Sequence, residues 1–479
     1  MSGEILAGVA KVDITDRDAG PVNDPLYVKA LALRSGSTEV VIITVDAVAV
    51  EEIGPIKNGY LAAARSQLGC DLGIAPKNVV VNASHCHGAV CGDVVRRTVE
   101  AVTEAWGAMT QVQVGVGTGH EDRIMENRRF RLRDGREADA RRAYSLPADS
   151  EVVGVGPIDP EIGILRLDRA DGQPLAVLYT VACHPIKGMP GGGTTADLVG
   201  VASQAIEDSL GEGTVALFVQ GCAGDINPAL YKDVNSPPDA DRLGSMLGVS
   251  VLKGLRGVEP RGGGELVVIN ELLDLPREDL APHIAALEAR QMQLLQTLRG
   301  TDINLKTFIP LLIKHGLSGD SPSYYSYRYL HEDAIGQSNL VNLDNQTREG
   351  VARYVGNIHT MEELTRVQAN LGLLRMHHAQ NVAAGTDTIT TEVVGIRIGD
   401  FVLVMFPGEL SVQIGLNIKQ ASRHPFTFIA GVSNGYIYYA PTAEQLTNRG
   451  GAQEDSDCYL ASGWQALFEG KAADVLQRL

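Results

Sequence analysis

Four short stretches of this chain bring histidine, cysteine, glutamate and glycine together in patterns suited to holding a metal ion. The first is Ser84-His85-Cys86-His87. Residues i and i+2 of an extended chain project to the same side, so His85 and His87 can face one site. The second is Cys183-His184-Pro185, and the third is Gly221-Cys222-Ala223-Gly224-Asp225-Ile226-Asn227-Pro228, whose glycines let backbone approach a ligand closely. The fourth is Pro407-Gly408-Glu409. Two histidines from different strands plus one glutamate form a His₂Glu set, the ligand type of catalytic zinc sites that keep a position open for water. Each motif alone has an ordinary explanation: an HxH or CHP step is commonly a satisfied structural histidine, and a PGE step is commonly a turn. All four, however, follow strongly apolar runs at the same end, which scattered structural histidines would not do.

The elements that must position these residues are legible as hydrophobic pattern. EVVIITVDA (39–47), NVVVNAS (78–84), PLAVLYTVAC (174–183), TVALFVQG (214–221) and DFVLVMFPGE (400–409) are continuously apolar and β-branched, which predicts strands covered on both faces. Amphipathic segments at 55–69, 93–109 and 196–210 lie between them and read as helices. The expectation is an α/β fold: a central mixed sheet covered by helices, with a metal site at the carboxyl ends of the strands, where α/β sheets bind ligands. Residues 276–385 have a different texture, with helical patterns at 278–299 and 359–381 around PSYYSYRYLHED (322–333). This reads as a helical insertion carrying a loop or lid, dividing the α/β core into 1–275 and 386–479. Asp13, Asp46 and Asp197 fall at motif edges and read as caps or turn residues.

Composition narrows the function. The 479 residues carry 58 acidic and 41 basic side chains, a net charge of −17, and 44% hydrophobic residues allow a large core. The negative excess argues against nucleic acid as a partner. No apolar window reaches the 18 or so residues a membrane span needs. MSGEILAGVAKVDITD has neither a basic start nor an apolar core, so no secretory signal is expected and a cytoplasmic location is. Six cysteines without CxxC spacing argue against a disulfide framework. The expected partner is a small-molecule substrate, with a homo-oligomer left open.

NVVVNASHCHG, the VACHP step, FVQGCAGDINP, FPGEL and SNGYIYYAPTAEQ, with AGVAKVDIT near the start, resemble in order and spacing the motifs of the catalytic domain of neutral (alkaline, non-lysosomal) ceramidases. The resemblance spans nearly the whole chain. It implies one zinc ion held by His85, His184, Glu409 and Tyr439, with His87 beside the metal and Arg128, in an Asn127-Arg128 step, as a donor to an anion or oxyanion.

The departures shape the mechanism. The family's loop carries a serine where this chain has Asn227, which can hydrogen-bond but cannot serve as an oxygen nucleophile. A family tyrosine falls at Gly451, and the family's secretion signal and C-terminal immunoglobulin-like domain are not expected here. The expectation is therefore a metal-dependent amidohydrolase that cleaves an N-acyl bond with metal-activated water, on a small polar substrate rather than ceramide. His87 would pass a proton to the leaving amine, Arg128, Asn227 and Tyr439 would steady the oxyanion, and Asp225 would orient a ligand or cap a turn. Tyr324, Tyr325, Tyr327, Tyr329 and His331 would offer hydroxyls under a lid, or simply pack a helical hairpin or a subunit contact. The rivals are a hydrolase with Cys86 or Cys222 as nucleophile, and a metal-binding protein of this fold without catalysis.

Overall fold

A computed structural model describes residues 3–233, 235 and 237–479. The apolar runs form the strands the sequence predicts, in a nine-stranded mixed sheet. Its order is Val215–Gln220, Pro174–Val181, Glu161–Arg169, Thr110–His120, Ile5–Asp13, Tyr27–Ser35, Thr38–Val45 and Val79–Ala83, with Arg261–Gly262 also paired to Thr110–His120. The two outermost pairs are parallel: Pro174–Val181 with Val215–Gln220, and Thr38–Val45 with Val79–Ala83. The pairs between them are antiparallel.

One face of this sheet carries helices α1 (Tyr60–Leu72), α2 (Val94–Gly107), α3 (Asp197–Leu210) and α4 (Asp241–Leu255). Side-chain alternation sets the two faces. Val28, Ala30, Ala32, Val41 and Ile43 pack toward Leu68 of α1 and Val99 and Val102 of α2. Leu31, Leu33, Val40 and Ile42 point the other way, onto Ile396, Ile398, Leu403 and Met405. Close approach of α2 depends on Gly8, where a Cβ would fall 2.0 Å from the Ala105 carbonyl oxygen.

The second face is covered by a feature the sequence did not reveal, a four-stranded sheet of Leu266–Pro276, Thr388–Ile398, Phe401–Met405 and Phe426–Ala430. The strands are buried on both sides, as the apolar runs require, but the cover on one side is a sheet and not helices. Its far face holds Val393, Val402 and Val404 against the later helices. The layers are therefore helix, sheet, sheet, helix.

Between the paired residues Pro276 and Thr388 run four helices: α5 (Ala281–Thr297), α6 (Leu305–Leu317), α7 (Tyr327–Ala334) and the 46-residue α8 (Asn339–Ala384). After them come α9 (Val412–Ala421), α10 (Gln453–Ser456) and α11 (Trp464–Arg478). Phe468, Ala472 and Val475 of α11 and Ile414 and Ile418 of α9 belong to the same core as Val402 and Val404. No helix of the described residues is long and apolar enough to cross a membrane.

Candidate metal centre

His85, His184 and Glu409 come from three separate parts of the fold and meet. His85 lies two residues past strand Val79–Ala83, and His184 three past Pro174–Val181. Glu409 begins the short strand Glu409–Leu410, which pairs in parallel with Tyr439–Ala440 and sets Glu409 opposite Tyr439. One ligand atom from each of His85, His184 and Glu409 lies within 4.8 Å of the others, and all three residues are buried. Gly224 lets the 221–228 loop pass this strand, since a Cβ there would stand 2.5 Å from the Glu409 carbonyl oxygen.

The chain is not extended through the first motif, contrary to the i, i+2 reasoning. His85 has φ of 69°, a left-handed conformation that costs a non-glycine residue on the order of 1 kcal/mol. Its N–H donates to the Ala47 carbonyl at 2.9 Å, and the twist turns its ring inward. His87 is exposed, with its ring centroid 5.8 Å from that of His85. Crowding of the ring by surrounding protein atoms first, and the neighbouring His85 second, lower its pKa.

The hydrogen bonds fix which nitrogens face the centre. His85 Nδ1 lies 2.5 Å from the Val48 carbonyl oxygen, and His184 Nδ1 lies 2.8 Å from that of Ile226. Carbonyls only accept, so in each neutral ring the proton sits on Nδ1 and Nε2 carries a lone pair. Those Nε2 atoms stand 3.3 and 3.0 Å from Glu409 Oε2. Burial, with Arg128 next, lowers the His184 pKa to about 3. Two imidazole lone pairs and a carboxylate oxygen aimed at one point are a donor set for a cation, and their chemistry fits zinc.

A second layer orients the first. Tyr436 donates its hydroxyl to Glu409 Oε1. The Tyr439 hydroxyl oxygen accepts from Arg128 Nη2 at 3.2 Å and Arg141 Nη1 at 3.5 Å, and both guanidiniums lie over its ring. Burial raises the Tyr439 pKa, and Arg141 and Arg128 restrain the rise. Arg128 is 1% exposed; it donates to Glu454 at 2.6 Å, to Asn227 Oδ1 at 3.1 Å and to the Gly224 carbonyl. Arg141 donates to the same Glu454 oxygen at 2.8 Å. Burial pushes Glu454 up, but Arg128, Arg141 and Arg129 hold it at about 2.

The predicted residues thus divide by position. His85, His184, Glu409, Tyr439 and Arg128 converge, and His87 stands beside them. Asn227 has its oxygen on Arg128 and its amide on the Ala140 carbonyl at 3.1 Å, so both groups are engaged inside the protein. Asp225 accepts from the Val412 N–H at the start of α9 at 2.8 Å and from Asn127 at 3.2 Å, the contacts of a cap that ties α9 to the Asn127 strand. Asp13, Asp46 and Asp197 accept from the backbone N–H groups of Thr15, Tyr27 and Lys187. All six cysteines are free, and burial pushes the Cys86 and Cys222 thiols up, away from the thiolate. Gly451 lies in a turn, donating to the Asn448 carbonyl. Tyr324, Tyr325, Tyr327, Tyr329 and His331 lie on α7 and the turn before it, and none hydrogen-bonds a residue of the centre.

Tyr436, Arg141 and Glu454 escaped the sequence reading. Tyr436 shares a motif with Tyr439, and only its side-chain direction distinguishes it. Arg141 and Glu454 are charged residues in ordinary charged stretches, and the missing signals were the burial of Glu454 and the inward turn of Arg141 onto it.

No protein-family model matches the chain, and no curated protein matches it. Among solved structures, the neutral ceramidase from Pseudomonas aeruginosa matches with a TM-score of 0.63 at 15% identity, over all of this chain and 75% of that one. A ceramidase complexed with C2 matches with a TM-score of 0.63 at 14% identity, over all of this chain and 76% of that one. This chain therefore has a neutral ceramidase-like fold.

Proposed function

We propose that the chain is a zinc-dependent hydrolase of the neutral ceramidase type that cleaves an N-acyl amide bond with water. The observation that carries this reading is the convergence of His85 Nε2, His184 Nε2 and Glu409 Oε2, with each Nδ1 tied to a carbonyl. Zinc held by His85, His184 and Glu409 would supply Lewis acidity and water activation at neutral pH, and Tyr439, whose hydroxyl oxygen already accepts from Arg128 and Arg141, stands beside that set. Tyr436 keeps the Glu409 carboxylate turned toward the two imidazoles. Tyr439 accepts two N–H groups at its oxygen, so its own O–H is directed away from the guanidiniums and can donate to the oxygen that becomes negative on the substrate. Arg128 and Asn227 act here through Tyr439, since their donors are engaged inside the protein. Neutral His87 accepts a proton from the attacking water and returns it to the leaving amine. Asn227 offers no nucleophilic oxygen, so no acyl-enzyme forms at that position.

The substrate we propose is small and polar. Arg142, next in the chain to Arg141, lines a groove of about 740 Å³ whose walls mix charged and polar groups, with Lys232, Glu362, Tyr144 and Asn357. Six free cysteines fit a reducing compartment, and we place the protein in the cytoplasm. The test is hydrolysis of short N-acyl amino acids after chelation, after zinc is restored, and after thiol alkylation. Loss on chelation, recovery with zinc and indifference to alkylation are expected. Chelator-resistant, alkylation-sensitive hydrolysis would instead support a cysteine nucleophile, and bound zinc without turnover of any amide would support a binding protein.

A further inference from the structure

Helix α6 packs on α8 through one side only. Phe308 stacks on Tyr354 with centroids 4.5 Å apart, Lys314 reaches Asp344 at 3.3 Å and His315 reaches Thr347 at 2.9 Å. Leu305, Ile309, Leu312 and Ile313, at i, i+4, i+7 and i+8, form the opposite side and are exposed, and Leu317 at the helix end is 84% exposed. Helix α7 joins at the same place, because Tyr329 donates to the other oxygen of Asp344. Around it Tyr324 (92% exposed), Tyr325, Tyr327, Leu330 and Ile335 are also exposed, and neighbouring tyrosine rings touch at centroid separations of 5.0 and 5.9 Å.

At on the order of 80 Å² of exposed surface per side chain, these ten amount to roughly 800 Å², more than the roughly 300–600 Å² of the largest apolar patch on a typical monomer. Roughly 800 Å² is also what one partner contributes to a stable protein interface.

We propose that this face pairs with the same face of a second copy of the chain, through α6 and α7 of each helical insertion. Charge permits that occupant, and the area matches what one copy must contribute. The chain carries −17 overall, but residues 276–385 hold ten basic and eleven acidic side chains, a net of −1. Two identical molecules repel each other through the rest of their surface and meet no such barrier here. A helix that lies on a lipid surface is rimmed with lysine and arginine. α6 has only Lys306 and Lys314, with Lys314 paired to Asp344, and the single arginine of α7, Arg328, lies over the Tyr325 ring. Gly316, on the exposed side between Ile313 and Leu317, leaves room for a helix backbone to approach, and the tyrosine hydroxyls suit the polar rim of an interface. Pairing the same patch on both copies gives a closed two-fold dimer.

Sedimentation velocity of the full chain from nanomolar to micromolar concentration tests this. The species should pass from 51.1 kDa to twice that mass. The double variant Ile309→Glu, Leu312→Glu should raise the dissociation constant by roughly 100-fold or more. Its circular dichroism should be unchanged, because both side chains are exposed. Should that variant fail to fold, Leu305→Lys decides by the same readout. A wild-type chain that stays at 51.1 kDa throughout overturns the proposal, and so does a folded variant that dimerises as wild type does. Flotation of a monomeric wild type with phosphatidylcholine vesicles would overturn it in favour of a lipid surface.

Discussion

Tyr436 touches no substrate in the proposed chemistry, yet it holds the one carboxylate that faces both imidazoles. Tyr436→Phe removes that single hydrogen bond, and metal affinity should fall on the order of 10–100-fold, as for other groups that orient a metal ligand. Competition with a chelator of known affinity measures it, and unchanged affinity would show that Glu409 is aimed by packing alone. Tyr439→Phe deletes the hydroxyl that Arg128 and Arg141 hold. It should lower kcat on the order of 10²–10³ with little change in KM, the signature of a donor used in the transition state. A rise in KM alone would place Tyr439 in ordinary substrate binding. The histidines and Glu409 were legible in the sequence because each follows a strand that reads plainly. Arg141 was not, because the inward turn of a half-buried guanidinium leaves no trace in local residue order.

The elements around the centre are joined by buried charge. Arg129, on the strand Arg129–Leu132, donates to Asp455 of α10 at 2.7 Å, pairs with Glu454 at 3.4 Å and reaches Glu137 on the neighbouring strand. Glu454 in turn holds Arg128 and Arg141, so α10 ties the second layer of the site to the β-structure beside it. Arg129→Met leaves two carboxylates buried with one cation fewer, and should destabilise the fold by about 3–5 kcal/mol in urea unfolding. A loss below about 1 kcal/mol would mean that the network relaxes around the gap. At this scale the sequence located strands and helices well where apolar runs were continuous or amphipathic. The second sheet was missed because Leu266–Pro276 and Thr388–Ile398 have mixed, partly exposed patterns, and their pairing joins segments separated by more than a hundred residues. The left-handed His85 was equally invisible, since it is imposed by hydrogen bonds to the distant Val45–Ala47 segment.

For the whole molecule, the centre links three stretches far apart in the chain, near residues 85, 184 and 409. A metal that binds only the folded state must therefore stabilise all of it. At a free metal concentration about 100 times the dissociation constant the gain is about 2.7 kcal/mol, so chelation should lower Tm measurably, and zinc should restore it. A Tm indifferent to chelator would mean that no ion is held across these segments. The central claim is that His85, His184 and Glu409 hold one catalytic zinc. Its most direct test is elemental analysis of chain purified without chelator, beside the folded His184→Ala variant. The account predicts about one zinc per wild-type chain and far less in the variant. Metal-free wild type, or a folded variant that keeps its full complement, would contradict it.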